Sequence, residues 1–333
     1  MRIQRLLACL RPVCGAVRGL RPGYLGQRGS HLGAGRWAGQ ARKTAAAGYS
    51  LAMSVSPPFP SDECLHVPGL EPQPGHAVYL GLIDYGEAWR LQLALVEAVL
   101  AGRAPDLLLL CQHPDVITVG RRQKARDNIL SARFPTFEVE RGGDATYHGP
   151  GQLVGYPILK LRPSPAGQPF PSERDLHRYL RALEGGLIDL CTRLGVPTGR
   201  KPGATGVWTL PTSLGPAADG AAAPPADGES AAPVAQHKLA SMGIAVRRWI
   251  TFHGFALNVT TDLSRFFAIN PCGFQAEVMT SLAALRADRG PVPSVLETVP
   301  LAIEHLGARL NRQFTPASSD WLAALCGPAS ATL

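Results

Sequence analysis

Two hydrophobic rhythms divide this chain, one helical and one extended. From Tyr85 to Ala101, the residues Trp89, Leu93, Val96 and Leu100 recur every three to four positions, which predicts a helix with one apolar stripe against a sheet. Leu107–Cys111 and Leu153–Leu161 are continuous apolar runs of strand length, the first of the kind buried on both faces. Val78–Leu82, Val116–Val119, Thr205–Trp208 and Leu239–Ile250 are further strand candidates, the last with imperfect alternation. A second helix is predicted where Leu176, Tyr179, Leu183, Leu187, Leu190 and Leu194 share a face, with Ser172–Asp175 resembling a capping box and Gly195 ending it. In a third, Ser294 and Glu297 resemble another capping box, and Val295, Val299, Leu306 and Leu310 form a stripe interrupted by Pro300. Strands interleaved with helices predict an α/β core.

Between two of these strands lies Arg141–Gln152, with four glycines, a proline, an arginine and a histidine in twelve residues. That density predicts a shaped loop, following the alternating Phe137–Glu140 and leading into the strand at Leu153. Its glycines serve either turn geometry alone or a close approach of backbone to a ligand, with Arg141 and His148 as polar anchors.

The whole stretch, Arg-Gly-Gly-x-x-x-Tyr-His-Gly-Pro-Gly-Gln, resembles the signature of the lipoyl(octanoyl) transferases. Lys238–Ile244 resembles that family's lysine motif, and Phe252–Val259 followed by Ile269–Gly273 resembles its cysteine motif. The resemblance covers roughly residues 78–312 and implies a mixed β-sheet flanked by helices with a smaller subdomain, as in biotin and lipoate protein ligases. It implies Cys272 as the nucleophile that carries the acyl group as a thioester, and Lys238 as the group that lowers its pKa. It places Arg141, Gly142, Gly143, Asp144, Ala145, Thr146, Tyr147 and His148, with Ser241, Met242, Gly243, Gly254, Phe255 and Ala256, around the substrate. The implied donor is octanoyl-acyl carrier protein. The implied acceptors are lipoyl domains of 2-oxoacid dehydrogenases and the glycine cleavage H protein, without ATP, metal or organic cofactor. The chemistry is consistent, since free cysteine is mostly thiol near neutrality and a nearby ammonium favours the thiolate. Three other readings share parts of the pattern: an ATP-dependent lipoate or biotin ligase, an amidotransferase between lipoyl domains, and a non-catalytic module that binds a carrier protein.

Composition changes the picture at the ends. The net charge is +8, but nine of the 33 Lys/Arg lie in residues 1–53 without a single acid, leaving 24 against 25 acids beyond. The basic character therefore belongs to a tail and not to a nucleic-acid-binding face. That tail reads either as an organellar transit peptide, implying the mitochondrial matrix, or as sequence upstream of a start at Met53, implying a bacterial cytoplasmic enzyme; the second is favoured. No run approaches the roughly 18 apolar residues of a membrane span. The seven cysteines are odd in number and scattered, which indicates neither a disulfide framework nor a zinc site. Residues 54–78 read as a linker, so the expected boundaries are a disordered extension over 1–77, a catalytic domain over 78–315 and a tail over 316–333. Within the domain, Ala, Gly and Pro fill 17 of the 25 positions of 211–235, which predicts a disordered insertion.

Overall fold

The computed structural model describes residues 64–67, 70–166, 172–210, 235–287 and 290–325. The basic tail and most of the insertion lie outside these residues. Eleven strands form two sheets among the described residues. The larger is mixed, in the order β11 (Arg312–Ala317), β1 (Gln73–Leu82), β2 (Asp106–Gln112), β6 (Gln152–Ile158), β10 (Ile250–Asn258), β9 (Lys238–Arg247), β8 (Ala204–Thr209), β7 (Thr198–Lys201). Within this sheet only the β11–β1 and β1–β2 pairs are parallel. The smaller sheet is β4 (Thr136–Glu138), β3 (Val116–Val119), β5 (Ala145–His148).

Helices cover both faces of the large sheet. On one face, α2 (Leu176–Arg193) and α4 (Val295–Leu310) bury Leu183, Leu187, Leu306 and Leu310 against Leu108, Leu153, Phe255 and Leu257. On the other, α1 (Tyr85–Leu100) and α5 (Ser319–Leu325) bury Leu91, Leu95 and Leu322 against Leu107, Leu109, Val154 and Phe252. Double coverage explains why β2 is nearly continuous leucine. The small sheet has its own core, where Tyr147 packs on Phe134 and Phe266; α3 (Leu282–Leu285) follows the segment that completes it.

Several boundaries differ from the sequence reading. The fold extends beyond 78–315: Leu65 is fully buried and its N–H donates to the Arg309 carbonyl, β1 starts at Gln73, and β11 and α5 carry the fold to Leu325. The glycine-rich stretch is not all loop, because Ala145–His148 pairs with β3. The core-facing stripe of α1 runs through Ala88, Leu91, Leu95 and Val99 together with the predicted Val96, while the predicted Leu93 and Leu100 lie at its edge; Trp89 instead turns towards the small sheet and donates its indole N–H to Glu140 (3.1 Å). No capping box opens α2. Asp175 caps it, and Glu173 is drawn into an ion cluster. The predicted strand Leu239–Ile250 is β9 as far as Arg247, where positive φ at Arg248 and Trp249 turns the chain into β10. The Ser294–Glu297 capping box is present, and α4 runs on unbroken through Pro300.

The ion cluster fastens the chain end to the sheet. Arg312, fully buried, donates to Asp106 (2.5 Å) and through both terminal nitrogens to Glu173 (3.0 and 3.1 Å), which also accepts from Arg162 at 2.6 Å. Burial pushes the Asp106 carboxyl up against the pull of Arg312, whereas at Glu173 the hydrogen bonds from Arg162 and Arg312 outweigh burial and hold the carboxyl low. Arg312→Met leaves buried Asp106 without a cationic partner and Glu173 with Arg162 alone, so urea unfolding should register a loss of about 3–5 kcal/mol. A loss under 1 kcal/mol would show the cluster to be inessential.

Candidate functional site

A cleft with about 440 Å³ of empty space, its open mouth included, lies between the two sheets. Its floor is a consequence of register. Ser241 on β9 stands beside Ala256 on β10, and Ala256 beside Val154 on β6; Gly243 stands beside Gly254. Residues two apart on a strand share a face, so this face carries a hydroxymethyl, a methyl and two hydrogens on two adjacent strands. On the third strand it rises to Val154 and Tyr156. The glycines are required: a Cβ on Gly254 would sit 2.2 Å from the Gly155 carbonyl oxygen, and one on Gly243 would meet the Arg141 stem at 2.8 Å. Met242 and Phe255 border the cleft while packing into the core of the opposite face.

The roof is β5 and the residues before it. Alternation sends Asp144, Thr146 and His148 into the cleft and Tyr147 into the small sheet's own core, with Ala145 fully buried outside the cleft wall. Of the fourteen pocket residues expected from the motifs, the cleft therefore gathers Arg141, Asp144, Thr146, His148, Ser241, Met242, Gly243, Gly254, Phe255 and Ala256. Ala145 and Tyr147 are not in its wall, and Gly142 and Gly143 are not either. Gly142 lines a neighbouring groove and donates its N–H to the Ile244 carbonyl (2.8 Å), and Gly143 takes φ +89° at the surface. Three lining residues escaped the sequence reading, Tyr85, Val154 and Tyr156, and His253 of the cysteine motif joins them in the wall.

Fixed hydrogen bonds hold the walls. Arg141 donates to the Thr118 carbonyl (2.8 Å) and hydroxyl (2.9 Å). His148 Nδ1 lies 2.8 Å from Gln152 Oε1, and Gln152 donates to Asn258 (2.9 Å). His253 has φ +56°; its N–H donates to Gln92 Oε1 (2.8 Å) and its Nε2 lies 3.5 Å from Glu140. Burial lowers the pKa of His148 to about 3 and that of the nearby His113 to about 4, and also lowers that of His253. Thr146 Oγ1 and Ser241 Oγ, both buried in the cleft wall, have no hydrogen-bond partner among the described residues. Buried polar atoms are nearly always paired, which marks these two as places for a ligand's polar atoms.

Lys238 and the cysteine-bearing turn meet at one end. Lys238 opens β9 and is buried rather than solvated; its stem lies against Gly206, where a Cβ would come within 2.8 Å of Cε, and its ammonium is 5.4 Å from the Trp208 ring centroid. Cys272 occupies the middle of a single 3₁₀ turn, Pro271–Gly273. That turn is anchored on the cleft side by Asn270 N–H donating to Asn128 O (2.8 Å), while Asn128 donates to Asp144 (2.7 Å). On the other side Phe274 packs edge-on against Trp208. Asp144 thus stands on one side of the turn, and on the other is Trp208, over whose ring the Lys238 ammonium lies.

The two neutral histidines predict a pH response. The ordinary value is about 6.5, so as pH falls the unfolded chain takes up protons first, and stability declines from about pH 6.5 down towards the folded values. Denaturation curves should lose roughly 1–2 kcal/mol per histidine by pH 5. His113→Gln should flatten that slope; an unchanged slope would remove His113 as a contributor.

The comparisons with known proteins agree with this architecture. A family model described as lipoyl protein ligase A/B catalytic domain matches residues 84–304. The chain is 43% identical over 220 residues to an octanoyltransferase of Geobacter metallireducens, covering 66% of this chain and 87% of that one. It is 37% identical over 245 residues to an octanoyltransferase of Pelobacter propionicus, covering 74% and 96% respectively. Among solved structures, lipoate-protein ligase A bound with ATP superposes with a TM-score of 0.51 at 15% identity, over 75% of this chain and 93% of that one. A bipartite lipoate protein ligase from Thermoplasma acidophilum gives 0.51 at 17% identity, over 76% and 91%. At such identities these two structures establish the fold alone.

Proposed function

The chain belongs to the lipoyl protein ligase A/B catalytic family and is similar along most of its fold to octanoyltransferases, and from that premise we propose the following reaction. An octanoyl group passes from the thioester of octanoyl-acyl carrier protein to Cys272, and from Cys272 to the lysine ε-amine of a lipoyl domain. The observation that carries this reading is the side-chain-poor trough, floored by Ser241, Gly243, Gly254 and Ala256, with Lys238 and the Cys272 turn at one end of it. A bare apolar slot suits an acyl chain, whose burial is worth about 0.8 kcal/mol per CH₂.

In the first step the Cys272 thiolate attacks the thioester carbonyl, and the Lys238 ammonium favours the thiolate by its charge. The tetrahedral oxyanion collapses and expels the carrier's thiolate, which takes a proton from the Lys238 ammonium, leaving octanoyl on sulfur and Lys238 as the free amine. Thr146 and Ser241 hydroxyls, otherwise unpartnered, are positioned as donors for oxygens of the substrate. In the second step the deprotonated lysine amine of the acceptor attacks the acyl-enzyme, an amide forms, and Cys272 leaves as thiolate. Lys238 or a water takes the amine's proton. His148 and His253, each held by a protein partner and kept neutral by burial, serve as wall rather than as proton carriers. The energy of the amide bond comes from the donor thioester, so no ATP is consumed.

Incubation of reduced protein with octanoyl-acyl carrier protein, without ATP, should add one hydroxylamine-labile octanoyl group, which peptide mapping places on Cys272. Cys272→Ser should form no such adduct and lose transfer by at least a thousandfold. A folded, reduced protein that gains no adduct sinks the covalent route. Transfer that appears only with ATP and free acid points to a ligase.

A further inference from the structure

The trough has a built end. Its floor is bare across β9 and β10 and then blocked on β6, where Val154 and Tyr156 stand on the same face. Neighbouring strands are about 4.8 Å apart, so two spacings separate the open strand from the blocked one by about 10 Å. The roof gives a matching length. Asp144 lies at the Cys272 turn, where a Cβ on Gly273 would be 3.8 Å from its Oδ2, and His148 at the other end stacks on Tyr85 (6.0 Å). Four residues of extended chain span about 13 Å, the order of an extended eight-carbon acyl chain with its thioester.

What stands at the far end is braced from behind. The Tyr156 hydroxyl is 2.7 Å from His113 Nε2, and His113 Nδ1 is 2.8 Å from the Ile83 carbonyl oxygen. A carbonyl only accepts, so Nδ1 carries the proton, Nε2 is the acceptor, and the tyrosine must donate. The Tyr85 ring packs edge-on against the same imidazole at 5.3 Å. His113 is fully buried, and Tyr85 and Tyr156 are nearly so. Apolar packing alone would accept a phenylalanine at 156. The hydroxyl adds a fixed position for the ring, which a length gauge needs, because a wall that yields cannot discriminate one methylene.

We propose that Tyr156, braced by His113 and flanked by Tyr85, is the stop against which the acyl tail is measured, making it the residue that sets chain-length selectivity. The proposal rests on the reading of the cleft as the acyl slot. A chain longer than the slot has to displace Tyr156 and break its bond to His113; a shorter one leaves the end of the trough unfilled.

The test is transfer of hexanoyl, octanoyl, decanoyl and dodecanoyl groups from the same carrier protein to one lipoyl domain, read as kcat/KM for each. Tyr156→Val removes the stop, and the decanoyl-to-octanoyl ratio should rise about fifteenfold, the factor that two additional buried methylenes correspond to. Val154→Leu advances the wall and should raise the hexanoyl-to-octanoyl ratio about fourfold, one methylene's worth. Tyr156→Phe keeps the ring and loses only the brace, so octanoyl should stay preferred by a narrower margin over decanoyl. Wild-type ratios in Tyr156→Val would overturn the proposal; if Tyr156→Val does not fold, wild-type ratios in Val154→Leu overturn it. A wild-type protein that transfers no acyl group of any length would instead refute the proposed function, a separate outcome from a wild type that transfers octanoyl with variants that keep its profile.

Discussion

A sheet covered on both faces is normally filled to its surface with side chains, and on two central strands of this protein the filling is withheld. Ser241 and Gly243 on β9 stand in register with Ala256 and Gly254 on β10, so four small positions adjoin where a helix or second sheet would otherwise press bulk against them. Close-packed interiors do not leave such space by accident. The rest of the site is arranged around that deficit: β5 spans it from above, β6 closes it, and the Cys272 turn and Lys238 stand where it begins. Register is therefore the controlling quantity, because a one-residue slip of β9 would turn Met242 and Ile244 into the trough and Ser241 and Gly243 into the opposite core.

The walls owe their rigidity to buried polar groups that are paired one to another. Arg141 is tied to Thr118, His148 to Gln152, Gln152 to Asn258, and Tyr156 to His113. Burial keeps His113 and His148 neutral, so the cleft beneath Arg141 carries little charge of its own beyond Asp144 and the arginine. In the proposed reaction an apolar acyl chain lies in this low-charge slot, and Asp144 and Lys238 bring charge to the end where the Cys272 turn stands. Two hydroxyls without partners, on Thr146 and Ser241, are the exceptions within the walls.

Further out, the same fold is closed by its first and last described segments. β11 runs parallel to β1 at the sheet edge, and Arg312 locks it to Asp106 on β2 and to Glu173 ahead of α2. Leu65 fills the core beside it, bonded to Arg309 at the end of α4. This edge is 139 residues from Glu173 along the chain, so its closure depends on the whole domain having formed.

Local chemistry was readable from the residues in order. The apolar runs of β2 and β6, the helical faces of α2 and α4, the Ser294 cap, and the lysine and cysteine motifs each occupy a short stretch whose pattern is complete within itself. Tertiary structure decided what depends on partners. Ala145–His148 reads as loop because glycines surround it, yet pairing with β3 makes it a strand and sends Ala145 and Tyr147 away from the site. The helix α1 is apolar on more than one side, so only the neighbours it meets select its core face. Tyr85, His113 and Tyr156 belong to three separate elements, and no spacing relates them. A sequence records which side chains are present and how often they recur; which of them touch across the sheet is a property of register and packing.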